Sequence, residues 1–188
     1  MARAFLLAFA ALIFALPLQA APPKHPQQVP LTAKLVENFI ASYQPVKAFN
    51  AQYDKQWADE NFSDPKADGA TQMRQSLEAH GALAAFNALV ARYGFKGVED
   101  WWPVAYSTMV AHGFDDPEHD AAKTKEELEQ RLAGLDKDAK LTADQKKKYK
   151  VALTEALARY EALKPPPGNI EVVKPYRTRL DALLAETR

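Results

Sequence analysis

At 188 residues with 47% hydrophobic side chains, the chain is long enough to bury one substantial core, and its 24 basic side chains balance 24 acidic ones. That balance lacks the electrostatic footprint of a nucleic-acid-binding protein, so no nucleic-acid partner is expected. With no cysteine, disulfide bonds and lipidation of an amino-terminal cysteine are excluded, and the fold has to be stable by packing alone.

The first residues, MARAFLLAFAALIFALPLQAAPPKHP, have the anatomy of a secretory signal peptide. Arg3 supplies a positive start, Phe5 to Leu16 form an unbroken apolar run, Pro17 ends it, and Gln19, Ala20 and Ala21 make a small-residue cleavage region. The run is shorter than the ~20 residues a membrane-spanning helix needs. The expectation is a signal over 1–20 cut after Ala20, a periplasmic or secreted product with no stable membrane span, and a mature balance of 23 basic against 24 acidic residues. Residues 21–30, APPKHPQQVP, read as an extended, poorly ordered leader, and a single domain is expected over 31–188.

Helical spacing dominates that domain. Leu35, Phe39, Tyr43 and Val46 recur at three and four residues behind Thr32, a suitable N-cap, and Pro45 predicts a kink or break in that helix. After a turn-rich loop over 59–72, one helix is predicted from Met73, with Leu83, Phe86, Val90 and Tyr93 as its stripe and Gly94 as a left-handed stop. Next comes GVEDWWPVAYSTMVAHGF, with Gly97 as N-cap and Glu99 and Asp100 in the first turn. Val98, Trp101, Trp102, Ala105, Met109 and His112 share one face, and Pro103 predicts a tight first turn or a restart of the helix.

Two capping boxes are predicted further on, Thr124 with Glu127 and Thr142 with Gln145. The second opens a helix striped by Tyr149, Leu153, Leu157, Tyr160 and Leu163, which KPPPG ends. A last amphipathic segment carries Pro175 near its start and docks through Leu180, Leu183 and Leu184. No run alternates like a convincing strand. The fold class expected is all-α, an irregular bundle of about five to seven helices.

Candidate sites are few. Adjacent helical residues lie about 100° apart, so Trp101 and Trp102 cannot point at the same spot. One is expected in the core and the other at its boundary, and together with His112 they are the candidate ligand-binding residues. Asp115, Asp116, Glu118, His119 and Asp120 gather hard oxygen donors and an imidazole, a chemistry suited to a divalent cation. Lys146–Lys150, KKKYK, is the one basic cluster, read as a solvated face or a contact for anionic lipid or envelope polymer. There is no Gly-rich phosphate loop, no His-Glu-x-x-His and no G-x-S-x-G elbow. No residue is therefore assigned a catalytic role and no cofactor is expected.

LTAKLVENFIASY, ALVARYGFKGVEDWWPVAYSTMVAHGF and PGNIEVVKPYRTRLDALL, in that order, resemble a group of small exported helical proteins of proteobacteria. The resemblance implies a signal peptide and a helical fold and carries no site residues. LTADQ, Leu141 to Gln145, is similar to the LTxxQ motif of Spy-like periplasmic chaperones, although LTAKL at Leu31 lacks the glutamine of a second copy. The function expected is binding or scaffolding in the cell envelope, including a chaperone-like form, with an envelope protein or small molecule as partner. The alternative is a metal-dependent enzyme or metal-binding protein built on Asp115 to Asp120.

Overall fold

A computed structural model describes residues 28–52, 68–115 and 121–185. The signal expected over 1–20 and most of the expected leader lie outside the described residues, as do Asp116, Glu118, His119 and Asp120. All regular structure among the described residues is helical, in the all-α bundle expected. The helices are α1 (Ala33–Ala51), α2 (Gly69–Ala79), α3 (Leu83–Ala91), α4 (Val98–Phe114), α5 (Ala121–Gly134), α6 (Ala143–Leu163), α7 (Asn169–Val173) and α8 (Arg177–Ala185). Single 3-10 turns follow α5 (Leu135–Lys137) and join α7 to α8 (Lys174–Tyr176).

Local signals set most helix starts. Thr32 accepts from the Leu35 N–H at the head of α1. At α6 both bonds of the Thr142–Gln145 capping box are formed. The helix predicted from Met73 starts earlier, at Gly69, because Asp68 accepts from both the backbone N–H and the hydroxyl of Thr71 at 3.0 Å. The capping box predicted at Thr124 does not open α5. That helix already begins at Ala121, so Thr124 lies within it.

The helix predicted as continuous through residue 93 is divided in two. Gly81 adopts φ +64°, the left-handed conformation that costs glycine least. Around it the N–H of Ala82 donates to the Leu77 carbonyl (2.7 Å) and that of Gly81 to the Glu78 carbonyl (3.0 Å). This is a Schellman motif, with buried Leu77 and Ala82 closing it on the apolar side. The same pair of bonds recurs at the predicted stop, from Gly94 to Ala91 and from Phe95 to Val90.

The two internal prolines break nothing. α1 runs through Pro45, and α4 runs from Val98 through Pro103 without a restart. A helix interior proline costs about 3 kcal/mol. The apolar surface on both sides of Pro103, including Val98, Trp101, Val104 and Ala105, is buried and offsets that loss at about 25 cal/mol per Å2.

α4 is the central element, packed against α1, α2, α3 and α7, while α1 also meets α3, α7 and α8. The core is built from Val36, Phe39, Ile40, Val46, Leu77, Phe86, Val90, Val98, Trp101, Val104, Val173 and Leu180. Helices α5 and α6 pack chiefly on each other as an antiparallel hairpin. Leu128, Leu132, Leu153 and Leu157 are half-buried along it, Leu135 is buried at its closed end, and no residue of α6 is fully buried. Lys125 and Glu161 bridge the two helices at 2.7 Å. At the base, the Phe114 and Tyr160 rings lie 5.5 Å apart, and the Gln28 amide donates to the carbonyls of Leu163 and Lys164.

Candidate functional site

α4 brings Trp101, Trp102 and His112 into one helix, and the packing then separates their roles. Trp101 is 6% exposed. Its ring stands edge-on to Phe86 at 5.9 Å and tilted against Phe39 at 5.9 Å. Its indole N–H donates to the Ser42 hydroxyl at 2.8 Å, and Ser42 in turn donates to the Phe39 carbonyl. An indole with every hydrophobic face covered and its one donor used has nothing left to offer a ligand.

Trp102 sits at the boundary, half-buried, its ring 6.4 Å from that of Trp101. It lies over the start of α2, where a Cβ placed on Gly69 would come within 2.7 Å of the indole. The absence of a side chain at Gly69 is what lets the helix approach the ring. The two tryptophans thus divide into one core and one boundary residue, as their 100° separation on a helix requires.

His112 is 9% exposed. Its Nε2 lies 3.1 Å from the Asp181 carboxylate on α8, and its Nδ1 is buried without a hydrogen-bond partner. One turn earlier on the same helix, the Thr108 hydroxyl is wholly buried and also without a partner. A histidine–carboxylate pair beside a hydroxyl has the ingredients of nucleophilic chemistry, but a hydroxyl with no solvent access cannot meet a substrate. The pair ties α4 to α8.

Asp115 ends α4 and forms an ion pair with Arg177 at the head of α8. Its carboxylate is thereby engaged by a guanidinium. Among the described residues no group of three or more histidine, aspartate or glutamate side chains converges to hold a metal ion. The other members of the acidic loop, Asp116, Glu118, His119 and Asp120, fall outside those residues.

A shallow surface depression is lined by Asn87, Lys96, Gly97, Glu99 and Asp100. Its oxygen acceptors are engaged within the fold: the Asn87 amide oxygen accepts from the Val98 N–H, the Asp100 carboxylate from the Lys96 N–H, and Glu99 pairs with Arg74. It is an N-terminal capping arrangement for α4.

Sequence reasoning passed over a buried polar set that does more than these candidates to hold the molecule. Asn169, 1% exposed, accepts from the Leu31 N–H at 2.8 Å and donates to the Val29 carbonyl at 2.9 Å. Ser107 accepts from the Val29 N–H at 2.8 Å. The last residues of the expected leader, from Gln28 onward, are thereby strapped into the fold by side chains that satisfy their backbone groups. The PPPG stop immediately before Asn169 marks a sharp turn in the sequence, but nothing local marks the asparagine's distant partner.

The stripe predicted on α6 also needs correction. Leu153, Leu157, Tyr160 and Leu163 are half-buried, but Tyr149 is 46% exposed. It lies near the closed end of the hairpin, where no part of the core covers it.

Among the described residues no helix is long and apolar enough to cross a membrane. Compared with known proteins, the chain matches no family model, no curated protein and no solved structure.

Proposed function

We propose that the chain is an exported cell-envelope protein, periplasmic or secreted, that acts by binding or scaffolding, and that its working element is the α5–α6 hairpin. The observation that carries this reading is the contrast between the two parts of the fold. The core around α4 buries Phe39, Phe86 and Trp101 and uses the Trp101 indole N–H internally. Of the hairpin's described residues only Leu135 is fully buried and none of those on α6 is, although α6 is the longest described helix at 21 residues. A long helix that contributes so little to the core is retained at a cost in ordering entropy, which recognition of a partner would offset. A chaperone-like action, in which the half-exposed apolar face holds unfolded clients, is one form of this reading and accords with the LTADQ motif at the head of α6.

Because the chain has no cysteine, a single cysteine carrying a photo-crosslinker can be placed at will. Thr154 and Ala158 are exposed on α6, and Arg92 is exposed on the body. Crosslinked adducts in the envelope are expected from Thr154→Cys and Ala158→Cys and not from Arg92→Cys. Equal yields from the three positions, or none, would reject the hairpin as the working element. The exported chain is expected to begin at Ala21, and an intact Met1 in its mass spectrum would contradict export by cleavage.

A further inference from the structure

The PPPG turn between α6 and α7 is closed into a ring by the residues that precede α1. Asn169, directly after Gly168, holds the backbone of Val29 and Leu31, and Gln28, directly before Val29, holds the end of α6. The Gln28 amide donates to the Leu163 carbonyl at 2.9 Å and to the Lys164 carbonyl at 3.3 Å. Carbonyls at the end of a helix have no following turn to supply a donor. Gln28 therefore caps α6 from a point 135 positions earlier in the chain.

The two sides of this ring are unequal. On the body side the strap is gripped by three hydrogen bonds of 2.8–2.9 Å from Ser107 and Asn169, both almost wholly buried, and the Leu31 side chain is buried as well. On the hairpin side it holds through one half-buried glutamine, whose amide oxygen is itself buried and meets no donor among the described residues. An acceptor removed from water and left unpaired opposes the seated position. The rest of the attachment is slight. Among the described residues neither α5 nor α6 packs along a helix of the body. Tyr160 lies one turn before Lys164, so its ring contact with Phe114 sits at the same end of the hairpin. Pro165 to Pro167 are stiff, but Lys164 leaves the helical conformation at ψ 127° and Gly168 stands at φ +86° with no side chain to restrict it. With α6 roughly 30 Å long, a small rotation at its base moves the closed end of the hairpin far.

We infer that the strap at residues 28–31 is a latch on the hairpin. With Gln28 seated on the last carbonyls of α6, the hairpin keeps one direction relative to the body. With Gln28 released, it swings as a unit about Lys164 and Gly168. Strap and hairpin are thereby coupled: whatever displaces Gln28 frees the hairpin, and whatever turns the hairpin unseats Gln28. The latch stands apart from the reading of the hairpin as a binding element, since it concerns only how the hairpin is held.

The chain has no cysteine, so paired nitroxide labels can be placed and their separation measured by double electron–electron resonance. Arg92→Cys with Thr154→Cys spans body and hairpin, Ala133→Cys with Ala158→Cys spans the two helices of the hairpin, and all four positions are exposed. In the exported chain each pair should give one narrow distance distribution. Gln28→Ala should widen the body–hairpin distribution and raise its displaced fraction about 5-fold, the effect of losing one hydrogen bond of typical net strength. The distribution within the hairpin should not change. Gln28→Glu keeps the length of the side chain but replaces its donor with an oxygen, and should widen the first distribution at least as much. Melting curves of both variants should stay close to the parent, because Ser107 and Asn169 still hold the strap. A body–hairpin distribution unchanged in Gln28→Ala, or already broad in the parent, overturns the latch. Widening of both pairs also overturns it, because the hairpin would then be unravelling instead of swinging.

Discussion

The indole N–H of Trp101 donates to the Ser42 hydroxyl across 59 positions of sequence, at 2.8 Å, and so joins the middle of α1 to the first turns of α4. With the Phe39 and Phe86 rings packed on either side, this contact makes Trp101 the junction of three helices. Trp101→Ala is expected to lower the unfolding free energy by about 3–5 kcal/mol. Trp102→Ala, at a half-buried boundary, should cost about 1–2 kcal/mol. Urea unfolding monitored by circular dichroism checks this, and equal losses for the two variants would contradict the division of roles.

Gly69→Ala places a methyl group where the Trp102 indole lies 2.7 Å away. Overpacking of this kind costs about 1–3 kcal/mol, against which alanine's better helix propensity returns less than 1. A net loss of about 1 kcal/mol is expected. In the Trp102→Ala background that loss should vanish, because the obstructing ring is gone. A double-mutant cycle with no coupling between the two positions would show that the ring does not dictate glycine there.

Asn169→Ala removes two hydrogen bonds to the backbone of Val29 and Leu31. Leaving those buried groups unpaired should cost about 2–3 kcal/mol. Amide exchange at Leu31 should accelerate more than exchange in α6, which the strap touches only at its end. Uniform acceleration across the molecule would mean that the strap does not open separately.

The backbone N–H of Thr71, more than any other contact, holds the Asp68 carboxyl below its ordinary value of 3.8. A group whose pKa is lower folded than unfolded stabilises the fold above the unfolded value, and that stabilisation is lost as pH falls through the folded one. Asp68→Ala should therefore cost about 1 kcal/mol at neutral pH, and the gap from the parent should close as pH drops below 3.8. Asp68→Asn keeps an acceptor at the cap and should show a smaller gap at neutral pH. Thermal melts of the three proteins from pH 7 to pH 2.5 measure this, and a gap that stays constant would contradict it.

What the amino-acid sequence determined by itself was set within one or two helical turns, although the Asp68 cap, the Gly81 break and the true start of α5 are equally local and were not read from it. The helical class follows from three-and-four spacing, the starts of α1 and α6 from Thr32 and the Thr142–Gln145 box, and the stop at Gly94 from glycine's freedom at positive φ. The division of the tryptophan pair into core and boundary follows from the 100° step between neighbours. Of the candidate site residues, the sequence could single out Trp101, Trp102 and His112, but it could not say that the first and last are closed off from solvent. Tertiary structure alone decided the continuity of α1 and α4 through Pro45 and Pro103, because packing on both sides of a proline outweighs its local penalty. It alone decided the pairing of His112 with Asp181, the strap held by Asn169 and Ser107, and the exposure of Tyr149. Those outcomes depend on which groups meet across long separations, from 69 positions for His112 with Asp181 to 140 for Val29 with Asn169. A local pattern cannot carry that information, because the same asparagine or tyrosine is equally compatible with solvent until a distant element covers it.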